Sequence, residues 1–162
     1  MKIVVLADTH FPKKGSNLPS RLLEELPGAD LIIHAGDWQT PALYEELAGY
    51  APVKGVYGNV DGDDIKALVP FQQILEIEGK RIGLVHGHGE KKTTEKRVVE
   101  AFSEDQVDLI IFGHSHLPLL RYVKKVMIFN PGSVTDKRKL PYYSFGILHV
   151  NEEIEARHIF FT

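Results

Sequence analysis

Short β-branched apolar runs recur at Lys2–Ala7, Leu31–Ala35 and Val53–Tyr57, and each gives way to a loop or a segment with helical apolar spacing. Runs of that length and composition read as buried strands. Between them, Leu18–Leu26 has helical spacing after the turn-rich stretch from Phe11 to Asn17. Thr40 and Pro41 form a helix start ahead of Ala42–Ala48, and a short helix is expected around Asp64–Leu68. The first 70 residues are therefore expected to run βαβαβα. From Phe71 the pattern changes. Gln73–Glu78 and Arg81–His86 flank a Glu78-Gly79-Lys80-Arg81 turn and read as a hairpin, followed by a helix at Thr94–Ser103 and a strand at Leu109–Phe112. Leu119–Phe129 and Tyr143–Phe161 read as four further strands. Alternating units followed by antiparallel strands predict an α/β fold of two packed sheets with helices outside them.

At 162 residues the chain can bury about 70% of its unfolded surface without staples, and it shows no linker or repeat, so residues 1–162 are expected to form one domain. Nineteen Lys and Arg against twenty-two Asp and Glu give a net charge of −3, with the signs interleaved. That balance calls for neither a nucleic-acid nor a membrane partner. No apolar run approaches the ~20 residues of a membrane span, and Ile3–Ala7 is too short for a signal peptide, so a cytoplasmic location is expected. The absence of cysteine excludes disulfides, zinc–thiolate sites, iron–sulfur clusters and thiol catalysis. Any metal must be held by nitrogen and oxygen.

The ends of the expected strands carry the chemistry. They read Asp8-Thr9-His10, His34-Ala35-Gly36-Asp37, Gly58-Asn59, His86-Gly87-His88 and Gly113-His114-Ser115-His116. Ligands of open α/β sheets bind outside the carboxyl ends of the strands, and carboxylate, amide and imidazole together are a metal-binding set. Any one cluster alone reads as a structural residue; five at successive strand ends point to a metal site. His34 lies on a buried strand and is expected to serve in the core or behind the ligands. His149 and His158 read as ordinary strand residues, and Trp38 either walls the site or packs. Lys13, Lys14, Lys137, Arg138 and Lys139 are either solvated or in contact with substrate phosphate, and Lys91–Arg97 reads as a solvated helix start.

These five motifs in this order resemble the calcineurin-like metallophosphoesterase superfamily. The short chain, the Asp-Thr-His opening, Gly58-Asn59-Val60-Asp61 and Asn130-Pro131-Gly132-Ser133 resemble its small prokaryotic phosphodiesterases. The resemblance spans Lys2 to Phe161. It implies a four-layer α/β/β/α sandwich with two mixed sheets and a dinuclear metal site at the strand carboxyl ends. It further implies two divalent ions per chain, manganese first, with nickel, iron, cobalt or zinc as others. The ligand split it implies places Asp8, His10 and His116 on one ion and Asn59, His86 and His114 on the other, with Asp37 bridging. Two carboxylates against two divalent ions leave a net charge of +2, which attracts phosphate. The implied reaction is hydrolysis of a small phosphodiester by a hydroxide bridging the ions. Phosphomonoester hydrolysis and a scaffold role like that of a eukaryotic membrane-sorting subunit are the alternatives. Larger relatives carry His directly after the ligand Asn. Val60 stands here, so the leaving-group proton must come from elsewhere: His88 first, Asp61 or a metal-bound water as rivals. A homodimer is the assembly the resemblance suggests, with Ile159–Phe161 either an interface or a last core strand.

Overall fold

The computed structural model describes residues 1–15 and 17–162; Ser16, in the expected loop after Phe11, lies outside the described residues. Two five-stranded mixed sheets form the frame. The first takes strands in the order β10-β9-β1-β2-β3, with β1 Lys2–Leu6, β2 Leu31–His34, β3 Val53–Gly55, β9 Tyr143–Val150 and β10 Ile154–Phe161. The second runs β4-β5-β6-β8-β7, with β4 Gln72–Ile77, β5 Lys80–Val85, β6 Leu109–Ile111, β7 Leu119–Val123 and β8 Val126–Asn130. In each sheet a parallel trio (β1-β2-β3 and β5-β6-β8) is flanked by antiparallel neighbours.

Side-chain alternation builds the layers. Ile3 and Val5 of β1, and Ala7 just after it, face Ile82, Leu84, Leu109, Ile111 and Phe129 of the second sheet, and this is the central core. Val4 and Leu6 face the other way. They pack with Leu22, Leu43, Leu47 and Ile65, which lie on α1 Ser20–Leu23, α2 Pro41–Ala48 and α3 Asp63–Lys66. Val98 and Phe102, on and just after α4 Thr94–Ala101, cover Val85, Ile110 and Ile128 on the far side of the second sheet. Helix, sheet, sheet and helix follow one another, as expected.

The helix expected over Leu18–Leu26 is shorter. α1 is a single turn, and a 3-10 turn at Leu26–Gly28 follows it. Pro27 explains the break, since it has no amide hydrogen for the Leu23 carbonyl four residues back and its ring crowds that carbonyl. Thr40 caps α2 as expected, its hydroxyl accepting from the Ala42 amide at 3.3 Å. Ile159 is buried and Phe160 is 54% exposed, so the last strand turns one side to the core and the other outward. No helix is long and apolar enough to cross a membrane.

Candidate metal centre

The parallel strands of both sheets end at one rim, and their loops keep pairing beyond the strands. The Asp8 amide donates to the Gly36 carbonyl at 2.9 Å, His10 to Asp37 at 3.1 Å, and Gly113 to His86 at 3.1 Å. Asp8, His10, Asp37 and Asn59 come from the first sheet; His86, His114 and His116 come from the second. Asp8, His10, Asp37, His114 and His116 all have positive φ, between 48° and 70°. Such backbone costs about 1 kcal/mol or more per residue and concentrates where a site over-determines it.

Three imidazoles are held in one tautomer. His86 Nδ1 lies 2.7 Å from the Ala35 carbonyl, His116 Nδ1 2.8 Å from the Asp136 carbonyl, and His10 Nδ1 3.2 Å from the side-chain oxygen of Gln39. Carbonyl oxygens only accept, so each Nδ1 carries the hydrogen and each Nε2 is left with a lone pair. Those lone pairs converge on two carboxylates. Asp8 Oδ1 is 3.9 Å from His10 Nε2, 3.6 Å from His116 Nε2 and 3.7 Å from His86 Nε2. Asp37 Oδ2 is 3.7 Å from His10 Nε2 and 3.1 Å from His86 Nε2. Two overlapping groups result, Asp8-His10-His116 and Asp8-Asp37-His86.

This donor set fits cations. Both oxygens of Asp8 and Nε2 of His86 are buried without a hydrogen-bond partner among the described residues. Acceptors facing acceptors at such distances require a positive charge between them. Burial pushes the Asp8 carboxyl up to about 7 against the opposing pull of His86. Burial also raises Asp37, but contact with His86 outweighs it and holds this carboxyl at about 2. Burial likewise disfavours charge on His86, yet Asp37 and Asp8 turn its shift upward.

The other expected residues stand at the rim or behind it. His114 lies outside both groups, its ring centred 5.3 Å from that of His86 and its pKa brought to about 4 by burial and then by His86. Asn59 is exposed on the loop that wraps Asp37, where the Val60 amide donates to Asp37 Oδ1 at 3.1 Å. A side chain at Gly58 would collide with that same oxygen, and one at Gly36, where φ is +103°, would strike the His86 ring. His88 sits beside His86, with ring centres 5.6 Å apart, and edge-on to Phe71. Asp61 turns away from the pocket: its carboxylate accepts from the amides of Asp37, Gln39 and Gly58, each at 2.8 Å. It braces two candidate ligand loops, a part beside which the sequence also offered it as a rival to His88 for giving the leaving-group proton.

Behind the candidate ligands stand further supports, His34 among them as expected. His34 Nδ1 accepts from the Gly36 amide at 3.1 Å, so its Nε2 donates to Thr9 Oγ1 at 3.1 Å, and the ring stacks on the buried Trp38. Its two nitrogens are spent on two loops, one on Gly36 beside Asp37 and the other on Thr9 between Asp8 and His10. The Asn130–Ser133 turn ties the two sheets together at the site. Asn130 Nδ2 donates to the Gly113 carbonyl and to Ser115 Oγ, both at 3.0 Å, while Ser133 Oγ donates to the Asp8 carbonyl at 2.7 Å and Thr135 Oγ1 to the Thr9 carbonyl at 2.6 Å. Lys91–Arg97 is not simply a solvated start. Arg97 donates to the carbonyls of Gly87, Lys91 and Lys92 and so fixes the loop of His86 and His88. The motif pattern pointed to these loops but not to the bonds that hold them.

Known proteins resemble this chain over nearly its whole length. The family model of the calcineurin-like phosphoesterase superfamily domain matches residues 1–153. A probable metallophosphoesterase of Methanothermobacter thermautotrophicus is 35% identical over 160 residues, covering 98% of this chain and 92% of the relative. Among solved structures, an archaeal phosphodiesterase matches 99% of this chain and 100% of its own at 25% identity and a TM-score of 0.76. Vacuolar Protein Sorting 29 of Cryptosporidium parvum matches 99% and 97% at 18% identity and a TM-score of 0.76, a likeness of fold alone.

Proposed function

This chain belongs to the calcineurin-like phosphoesterase superfamily and is a metallophosphoesterase; from that premise we propose that it hydrolyses small phosphodiesters at a pair of divalent cations, manganese being the first to try. The observation that carries the reading is the convergence of three Nε2 lone pairs on the buried, unpartnered Asp8 carboxylate and on Asp37. Asp8, His10 and His116 would hold one cation. His86 and Asp37 would hold the other, with His114 and Asn59 completing it from the rim and Asp37 shared. Bound there, the cations would lower the pKa of water toward neutrality and draw charge from the phosphoryl oxygens.

The chain's own residues supply the rest. Backbone bonds to Asp37 and the tautomer locks hold the acceptors in place, so little reorganisation remains when substrate enters. Val60 favours a diester. Its side chain is 42% exposed where larger relatives place an imidazole, so the added charge of a monoester meets no extra donor there. His88 is the side chain proposed to deliver the leaving-group proton. Burial, and then His86, hold its imidazole below the ordinary value, so donation from it should weaken as pH rises to neutrality.

The test is turnover of a chromogenic diester and its monoester by metal-stripped protein, with and without manganese, alongside a diester with a poor leaving group. Manganese-dependent turnover that favours the diester is expected. His88→Ala should cost about a hundredfold on the poor leaving group and little on the chromogenic one. Two bound equivalents of metal with no turnover of either ester would leave the reading without support and favour a scaffold role.

A further inference from the structure

Of the cations near the rim, most are engaged elsewhere. Lys14 Nζ lies 3.8 Å from Asp136 Oδ2, and Lys137 Nζ sits 5.2 Å over the ring of Tyr143. Arg138 differs. Its Nη2 is 3.2 Å from His116 Nε2, the same lone pair that stands 3.6 Å from Asp8 Oδ1 and 3.3 Å from His10 Nε2. No carboxylate pairs with this guanidinium among the described residues, although the side chain is exposed and free to choose one. An arginine whose partner is a histidine lone pair aimed at a cation site holds a bond it must give up when that lone pair is used.

The backbone keeps Arg138 close after that bond is lost. Its φ is +51°, and its amide donates to Asp136 Oδ1 at 3.3 Å. The Asp136 carbonyl in turn receives His116 Nδ1–H, and the Asp136 amide donates to Ser133 Oγ at 2.9 Å, the hydroxyl that also bonds the Asp8 carbonyl. The turn bearing Arg138 is thus pinned to the loops of Asp8 and His116 at the same time. Released from His116, the guanidinium remains over the rim with five donors and, among the described residues, no carboxylate paired with it.

We propose that Arg138 is a phosphate-binding residue of this site: in the metal-free protein it occupies His116 Nε2, and in the loaded protein it turns to the non-bridging oxygens of the substrate phosphoryl group. The proposal rests on the phosphoesterase reading above. It makes metal and anion respond to one substitution in opposite directions. Removing Arg138 deletes a competitor for the His116 lone pair and a positive charge beside the cation, while it deletes a fork of donors for phosphate.

The experiment is calorimetric titration of Arg138→Ala, Arg138→Lys and the wild type, first with Mn²⁺ alone on stripped protein and then with inorganic phosphate on the manganese-loaded protein. In Arg138→Ala, two equivalents of manganese should still bind, with affinity equal to the wild type or a few-fold tighter. Phosphate should bind roughly ten- to a hundredfold more weakly, and Arg138→Lys should recover only part of that loss. Unchanged phosphate affinity in Arg138→Ala overturns the proposal while leaving the phosphoesterase reading intact. Loss of a manganese equivalent also overturns it, by making Arg138 a support for the ligand loop. A loaded wild type that binds no phosphate and turns over no diester overturns both.

Discussion

Asp8 shows how far a single residue can be set against the fold's own stability. Its carboxylate is wholly buried with both oxygens unpartnered, and burial lifts its pKa from 3.8 to about 7. Below pH 3.8 the group is protonated whether the chain is folded or unfolded, and it contributes nothing. Between 3.8 and 7 the folded chain keeps a proton that the unfolded chain releases, so stability falls as pH rises, by up to about 4 kcal/mol above pH 7. Asp8→Asn removes that titration at nearly constant shape. Metal-free Asp8→Asn should melt above the metal-free wild type at pH 8 and together with it near pH 3.5, and its gain from added manganese should shrink. Thermal melts at the two pH values read the effect; a variant less stable at pH 8 would mean that the buried charge is already compensated without metal. That Asp8, His10, Asp37, His86 and His116 would come together was legible as polar residues at strand ends. Their tautomers were not, because two are fixed by the main-chain carbonyls of Ala35 and Asp136, which any residue would supply, and the third by the side chain of Gln39, which no motif singled out.

Loops rather than strands decide the precision of the centre, and Asp61 is the clearest case. Its carboxylate gathers amides from the loop after β2 and the loop after β3, the two segments that hold Asp37 and Asn59. Read along the chain, Gly58-Asn59-Val60-Asp61 offered Asp61 as one more acid near a metal motif. The spacing could not show that the side chain folds back onto backbone. Strands and helices were more legible, because β1 and β2 are apolar on both faces and Thr40–Pro41 is a strong helix start. Asp61→Ala leaves three amide hydrogens without an acceptor and should cost about 2–4 kcal/mol in stability. Manganese affinity should fall with it, and excess manganese should restore much of the diester turnover. The limbs of the pH–rate profile should stay where they are in the wild type. A lost limb, with metal occupancy restored, would return Asp61 to the role of proton donor.

At the scale of the molecule, the centre exists only when both sheets are assembled, since Asp8 from the start of the chain meets His116 of the second sheet across the rim. The cations should therefore bind the native state and hardly the unfolded one, which makes metal a term in global stability. Each ion at a hundred times its dissociation constant adds about 2.7 kcal/mol. For a chain of this length that is roughly 5–10 °C in melting temperature per ion. The slope of melting temperature against the logarithm of manganese concentration then counts ions bound on folding. In His10→Ala, which trims one ligand group, the slope should fall to about half that of the wild type. In Asp37→Asn it should fall further, because Asp37 Oδ2 faces both His10 and His86 and is proposed to serve both ions. Equal slopes for Asp37→Asn and the wild type would instead assign the shared role to Asp8, whose Oδ1 stands within 3.9 Å of His10, His86 and His116 alike and which is common to both ligand groups.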